Sequence, residues 1–275
     1  MKTILVINDH SAEACHAIAF AKLMAEKNYA NIIIANTCEV NKKVFENVLA
    51  GNRFDYPDSS LPVEEVIPRL LVPHDDDNTF KPEVKEIDIS NINETELAHL
   101  VNKEQIWLMV KGMSDDSPSS TFKINVNYLL NKMLCPLMLI PANWQIKDIE
   151  RMVYIADLRY CRLHIVRYLA EMAKVISANL SIAHISAKGL PHMEEKYALD
   201  VFSTEISKNV NYNQLYFNNI RERNISIAVD VLKNGLHNDL LVMVNHRYHF
   251  EEIIGNNITD KLPANLIIPI LIFPY

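Results

Sequence analysis

Residues 2–37 (KTILVINDHSAEACHAIAFAKLMAEKNYANIIIANT) and residues 150–185 (ERMVYIADLRYCRLHIVRYLAEMAKVISANLSIAHI) align without a gap. Asp9 falls on Asp157, His16 on His164, Met24-Ala25 on Met172-Ala173 and Ala30-Asn31 on Ala178-Asn179. About a quarter of the pairs are identical, and most others keep their polarity. The halves also end alike, in KMLCPLMLIP and in ANLIIPILIFP. A repeat of this length means that whatever one half folds into, the other folds into as well. The chain therefore reads as a tandem duplication, with unit one at 1–143, unit two at 144–275 and the boundary near Pro141–Lys147.

Within each unit the pattern alternates between two periods. Ile4–Asn8 and Val153–Ala156 are continuous apolar runs, as expected for strands buried on both faces. Helical patterns follow: Ala14, Ala17, Ile18, Ala21 and Ala25 share one face, as do Val166, Leu169, Ala170 and Ala173. The remaining strands of unit one are predicted at Ile32–Ala35, Val84–Ile89, Ile106–Val110 and Leu137–Ile140. Those of unit two are predicted at Leu180–Ile185, Ile225–Leu232, Leu240–Val244 and Ile268–Phe273. Strands separated by helices make βαβ units, hence an α/β fold with parallel sheets covered on both faces.

Between their third and fourth strands the units differ. In unit one, Asn93–Glu104 has room for a short helix with Asn93 as N-cap. In unit two only LKNGLHND separates the predicted strands, too short for a helix and two turns. One face of that sheet is then left uncovered, which suggests a homodimer through it.

Composition narrows the function. With five glycines in 275 residues, no GxGxxG and no GxxxxGK[ST], neither a Rossmann dinucleotide site nor a P-loop is expected. A net charge of −7 argues against a nucleic-acid partner. The longest apolar stretch, Leu266–Phe273, contains Pro269 and falls far short of a membrane span. MKTILVINDH lacks a signal-peptide core, so a cytoplasmic location is expected. Cys15, Cys38, Cys135 and Cys161 form no CxxC pair and read as small buried hydrophobes.

MKTILVINDHS with its Ala-rich helix resembles the start of a universal stress protein domain, as does MVYIADLRYCRLHIVRYLAEMAKVISANLSIAHI. DLLVMVNHRYHFEEIIGNNITDKLPANLIIPILIFP resembles that family's last strand–helix–strand block. The resemblance covers both ends of both units, and segments 41–80 and 190–220 match poorly. It implies two doubly wound, five-stranded parallel units of flavodoxin-like or adenine-nucleotide-hydrolase-like type, order 3-2-1-4-5. It also implies an internal pseudo-dimer joining 136–140 with 268–273.

Many members of that family bind ATP, so ATP or AMP is the cofactor implied. The acid closing the first strand, here Asp9 and Asp157, then lies near the adenosine. The backbone after the second strand, here Thr37 and Ile185, meets the adenine edge. The phosphates sit on a loop after strand four, of pattern G-x2-G-x9-G-[ST]. Unit one reads KGMSDDSPSSTFKIN there: Gly112 matches the first glycine, Asp115 takes the second position, and Phe122 or Lys123 falls near the third. Asp115 and Asp116 would repel phosphate unless a cation intervened. Unit two reads VNHRYHFEEIIGNNITDKL: Asn245 takes the first glycine's place, Tyr248 or His249 the second's, and Gly255 survives. Arg247 and the histidines bring positive charge, which makes unit two the better placed of the pair.

The three-residue spacing of His246 and His249 fits one helical face and a zinc pair, with Asp157 and His237 as possible further ligands. The bland alternative is that Asn245 and His246 tie down the loop after strand four. HDDDN at 74–78 and SDDSPSS at 114–120 read as solvated loops. His16 and His164 read as packing or surface residues, and His184, at the close of the second strand of unit two, as structural. No Ser/His/Asp, Cys/His or paired-carboxylate constellation stands out, and an enzyme is not expected. The reading is a tandem stress-response or regulatory module with degenerate ATP-binding loops and an unidentified protein partner. The alternative is an adenine-nucleotide sensor in which unit two is competent.

Overall fold

The computed structural model describes residues 1–37, 80–113, 124–186, 193–255, 263 and 266–275. Two compact units divide between Ile146 and Lys147. The acidic run at 74–78 and the loop at 114–120, with Asp115, Asp116, Phe122, Lys123 and Cys38, lie outside the described residues.

Unit one runs β1 (Lys2–Asn8), α1 (Ala12–Asn28), β2 (Ala30–Asn36), β3 (Val84–Asp88), α2 (Glu94–Lys103), β4 (Leu108–Met113), α3 (Val126–Leu130) and β5 (Leu137–Pro141). Its strands lie parallel in the order β3-β2-β1-β4-β5. Ile4–Val6 of β1 and Leu108–Val110 of β4 are fully buried, as central strands covered on both sides must be. Ala14, Ala17, Ile18, Ala21 and Ala25 of α1 are all buried, the face that the 3.6-residue period marks. Ser11 caps α1 by accepting from the Ala14 N–H at 3.1 Å. Asn93 caps α2 in a reciprocal capping box with Glu96.

Unit two runs β6 (Arg151–Ile155), a 3₁₀ turn (Leu158–Tyr160), α4 (Leu163–Ile176), β7 (Asn179–Ile185), α5 (Glu195–Val201), β8 (Leu215–Ile220), α6 (Ile225–Asp230), β9 (Leu240–Val244), α7 (Phe250–Ile254) and β10 (Ile270–Phe273). Its order is β8-β7-β6-β9-β10, again parallel and again 3-2-1-4-5 in chain terms.

One element differs in kind from the sequence expectation. Ile225–Leu232 is not the third strand: it is α6 followed by a π-helical turn through Gly235, and the third strand is Leu215–Ile220. The segment ISIAVDVL satisfies both periods. Read with period two, it is a β-branched strand. Read with period 3.6, Ala228, Val229 and Leu232 share a face, and those three are the ones buried. Asn224 decides locally by capping the Ser226 and Ile227 N–H groups. The crossover helix of unit two is therefore present, and the argument for a homodimer through a bare sheet face loses its premise.

Candidate functional site

In a doubly wound sheet, ligands bind beyond the carboxyl ends of the strands where the order reverses. That point lies between β1 and β4 in unit one and between β6 and β9 in unit two. The residues singled out from the sequence gather at these ends. Asp9 and Thr37 follow β1 and β2, and Gly112 is the penultimate residue of β4. Asp157 follows β6, Ile185 closes β7, and Asn245 follows β9 with Arg247 in the next turn. Gly255 sits apart from them in sequence as the C-cap of α7.

In unit one, Asp9 Oδ1 accepts from the Ser11 N–H at 3.1 Å and from the Ser11 hydroxyl at 2.5 Å. This Asx turn sets the Ser11 hydroxyl to cap α1. The Thr37 N–H continues the β1–β2 ladder by donating to the Asn8 carbonyl at 2.9 Å. Behind it, Asn8 donates to Asn36 at 2.6 Å and Asn36 to Glu86 at 3.1 Å, a polar row across three strands. Gly112 has a packing reason to be glycine. A Cβ there would lie 2.2 Å from the Glu13 carbonyl oxygen, so the first turn of α1 can rest on β4 only because no side chain intervenes.

The register corrects the alignment of the loops. Ile4 of β1 pairs with Leu108, and its counterpart Met152 of β6 pairs with Leu240. Gly112 therefore corresponds to Val244, and Asn245 stands one residue beyond the first-glycine position. Unit two tolerates valine there because α4 begins at Leu163, later than Tyr160, the counterpart of Ala12; the 3₁₀ turn replaces the first helical turn.

In unit two the candidate groups are engaged with side chains of the same unit. Asp157 receives the Arg159 guanidinium at 2.9 Å (Nε) and 2.5 Å (Nη2), and its Oδ1 also accepts the Arg159 N–H at 3.0 Å. Burial pushes the Asp157 carboxyl up, yet Arg159 outweighs it and holds the group below the ordinary carboxylate range. The Tyr248 hydroxyl reaches both backbone groups of Ile185. It accepts the Ile185 N–H at 2.8 Å and donates to the Ile185 carbonyl. His184 Nδ1 lies 3.0 Å from the same hydroxyl, and the two rings stack with centroids 5.5 Å apart. A hydroxyl carries one proton, so while it serves the carbonyl, His184 Nδ1 must carry its own proton and donate. His184 is buried, and burial above all lowers its pKa, against the attraction of Asp157.

The loop that delivers Tyr248 is unusual in its backbone. His246, Tyr248 and His249 have φ of 52°, 33° and 59°, all left-handed without a glycine. Asn245 anchors the loop: it is fully buried, and its N–H donates to the Phe273 carbonyl at 2.9 Å. His246 and His249 consequently do not share a helical face. His246 Nδ1 lies 3.5 Å from Glu251, and His249 Nδ1 bonds Glu252. Among the described residues no group of three or more His, Cys, Asp or Glu side chains converges as metal ligands do. The Arg247 guanidinium bonds the Tyr275 hydroxyl and lies 4.1 Å from that ring's centroid, with Arg162 at 5.1 Å.

Arg159, His184 and Tyr275 are thus members of this cluster that sequence reasoning did not assign to it, while Tyr248 was placed in the loop but given no role. A tyrosine within a loop where relatives carry glycine was the available signal. Burial raises the thiol pKa of Cys15 to about 11 and of Cys135 and Cys161 to about 12, so none is a thiolate at neutral pH. No described helix is long and apolar enough to cross a membrane.

No protein-family model and no curated protein matches the chain. Solved structures do. A universal stress protein from Archaeoglobus fulgidus superposes with a TM-score of 0.59 at 11% identity, over 98% of this chain and 97% of its own. A functionally unknown protein from Pseudomonas aeruginosa gives 0.54 at 12% identity, over 99% and 92%. A protein of Pseudomonas aeruginosa described provisionally as a universal stress protein gives 0.54 at 11%, over 99% and 93%. At such identities the likeness speaks for backbone architecture and not for chemistry. Along nearly its whole length, this chain has the fold of the universal stress proteins.

Proposed function

We propose that the chain is a regulatory module of stress-response type, acting through protein contacts without catalysis, and that unit two is closed to adenine nucleotides by its own side chains. One observation carries the closure: the Tyr248 hydroxyl engages both the N–H and the carbonyl of Ile185. By family resemblance, that backbone edge is the one that meets adenine. The tyrosine ring stands in for the base, with one hydroxyl serving as both acceptor and donor. The Asp157–Arg159 pair and the Arg247–Tyr275 contact support the same reading, since each engages a group that a nucleotide would need. The lost glycines of both loops support it as well.

The test is titration calorimetry of the full chain with ATP and with AMP, with and without magnesium. No heat attributable to unit two is expected. A micromolar affinity abolished by Asp157→Ala and untouched by Asp9→Ala would overturn the closure and establish the alternative, a nucleotide sensor with unit two competent. An affinity abolished only by Asp9→Ala would assign binding to unit one and leave the closure of unit two standing.

A further inference from the structure

The two units end their sheets very differently. The edge strand of unit one, β3, reads VKEID, and its Lys85, Glu86 and Asp88 put charge along the open side. Charged edges of this kind prevent pairing with another strand. The edge strand of unit two, β8, reads LYFNNI and has no charged residue. Among the described residues β8 pairs only with β7.

The direction of its backbone groups follows from the ladder. The Leu180 N–H bonds the Gln214 carbonyl, and the Ser186 N–H bonds the Ile220 carbonyl. Backbone groups alternate sides along a strand. Leu215, Phe217 and Asn219 therefore aim their N–H and C=O groups away from β7. The edge and the helix packed against it are also apolar outside: Tyr216 of β8 and Tyr197 and Leu199 of α5 are each about half exposed. The β7–β8 and β8–β9 connections run in opposite directions across the sheet, so right-handed crossovers put α5 and α6 on opposite faces.

We propose that a second copy of this chain pairs with the β8 edge, antiparallel and two-fold symmetric about Phe217. In that register Phe217 meets its own copy and Leu215 meets Asn219, each pair exchanging both backbone hydrogen bonds. No like charges are opposed: Arg221 falls across from Asn213 and Arg223 across from Asn211. The equivalent pairing of β3 about Glu86 would set Glu86 against itself, which is why the self-compatible edge belongs to unit two alone. The two-fold axis stands normal to the sheet, so α5, which packs against β8, approaches its own copy on one face. A strand edge by itself buries less than the roughly 1,000 Å² that a stable interface needs. The half-exposed side chains of α5 and of Tyr216 add to that area.

Sedimentation velocity of the full chain, from micromolar to the highest attainable concentration, tests this. A mass rising with concentration to twice the 31.5 kDa of one chain is expected. Asn219→Pro removes one outward donor from each copy while remaining compatible with an edge strand. Tyr216→Lys restores the missing edge charge. Either variant, with its circular dichroism unchanged, is expected to weaken self-association at least about tenfold. If Asn219→Pro fails to fold, Tyr216→Lys decides. A single-chain mass throughout, or a dimer that no folded variant weakens, overturns the proposal.

Discussion

The Tyr248 hydroxyl accepts the Ile185 N–H at 2.8 Å across 63 residues of chain, and in the same position it donates to the Ile185 carbonyl. Tyr248→Phe keeps the ring on His184 and deletes both bonds. Ile185 is fully buried, so its N–H is left without that partner. A loss of about 1–3 kcal/mol is expected, read by urea denaturation. Tyr248→Ala removes the ring as well. If unit two is closed as proposed, that variant gains affinity for AMP over the parent chain, measured by calorimetry.

Two glycines separate backbone need from accident. Gly112→Ala drives a Cβ to 2.2 Å from the Glu13 carbonyl oxygen and 2.5 Å from its carbon. Backbone cannot yield as a side-chain tip can, so a cost of at least about 1–3 kcal/mol is expected. At Gly235 the nearest atom to an added Cβ is Val231 Cγ1 at 3.6 Å, an ordinary contact. Gly235→Ala is expected to be neutral or to stabilise by up to about 1 kcal/mol through the unfolded chain. Parallel thermal and denaturant melts of the two variants check the contrast.

Acid should destabilise the protein in two separate windows. Burial is the largest cause lowering the pKa of both His184 and His16 below the ordinary 6.5. The unfolded chain then takes up protons first as pH falls. Stability that is intact above 6.5 is lost as pH drops from there through the lower folded values. Asp157, held below the ordinary 3.8 by Arg159 despite its burial, contributes stability that is lost only as pH falls below 3.8. Denaturation midpoints measured between pH 8 and 3 are expected to fall in the upper window for the parent chain. His184→Phe is expected to flatten that decline, and Arg159→Ala, which removes a positive charge that helps lower the His184 pKa, to soften it.

The Asn93 side chain accepts from the Thr95 and Glu96 N–H groups, both at 3.0 Å, while Glu96 accepts from the Asn93 N–H at 2.9 Å. Asn93→Ala is expected to cost about 0.5–2 kcal/mol, and Asn93→Ser to recover most of it. Chemical denaturation of the three proteins is the check.

The features legible in the sequence are those written in local periods. Runs such as Ile4–Asn8, the small-residue face of α1 and the cap at Asn93 each follow from spacing and side-chain chemistry within one element. The gap-free repeat extended that reading from one unit to the other. Where a segment fits two periods, as Ile225–Leu232 does, local pattern has no means to choose; burial of Ala228, Val229 and Leu232 against the sheet chose the helix. The candidate residues were legible in their position but not in their state. Asp157, Ile185 and Asn245 come to the strand ends because topology brings them there. That Tyr248 covers Ile185 depends on left-handed backbone at His246, Tyr248 and His249, which no glycine announces. It depends equally on His184, brought to the same place by a neighbouring strand. The sequence by itself determined two parallel α/β units and the places of their strands, except the third strand of unit two, where Ile225–Leu232 fits two periods. Only the tertiary structure decided that Tyr248 engages the Ile185 backbone and His184 at the end of unit two, because hydrogen bonds between residues far apart in the chain exist only once the sheet has brought them together.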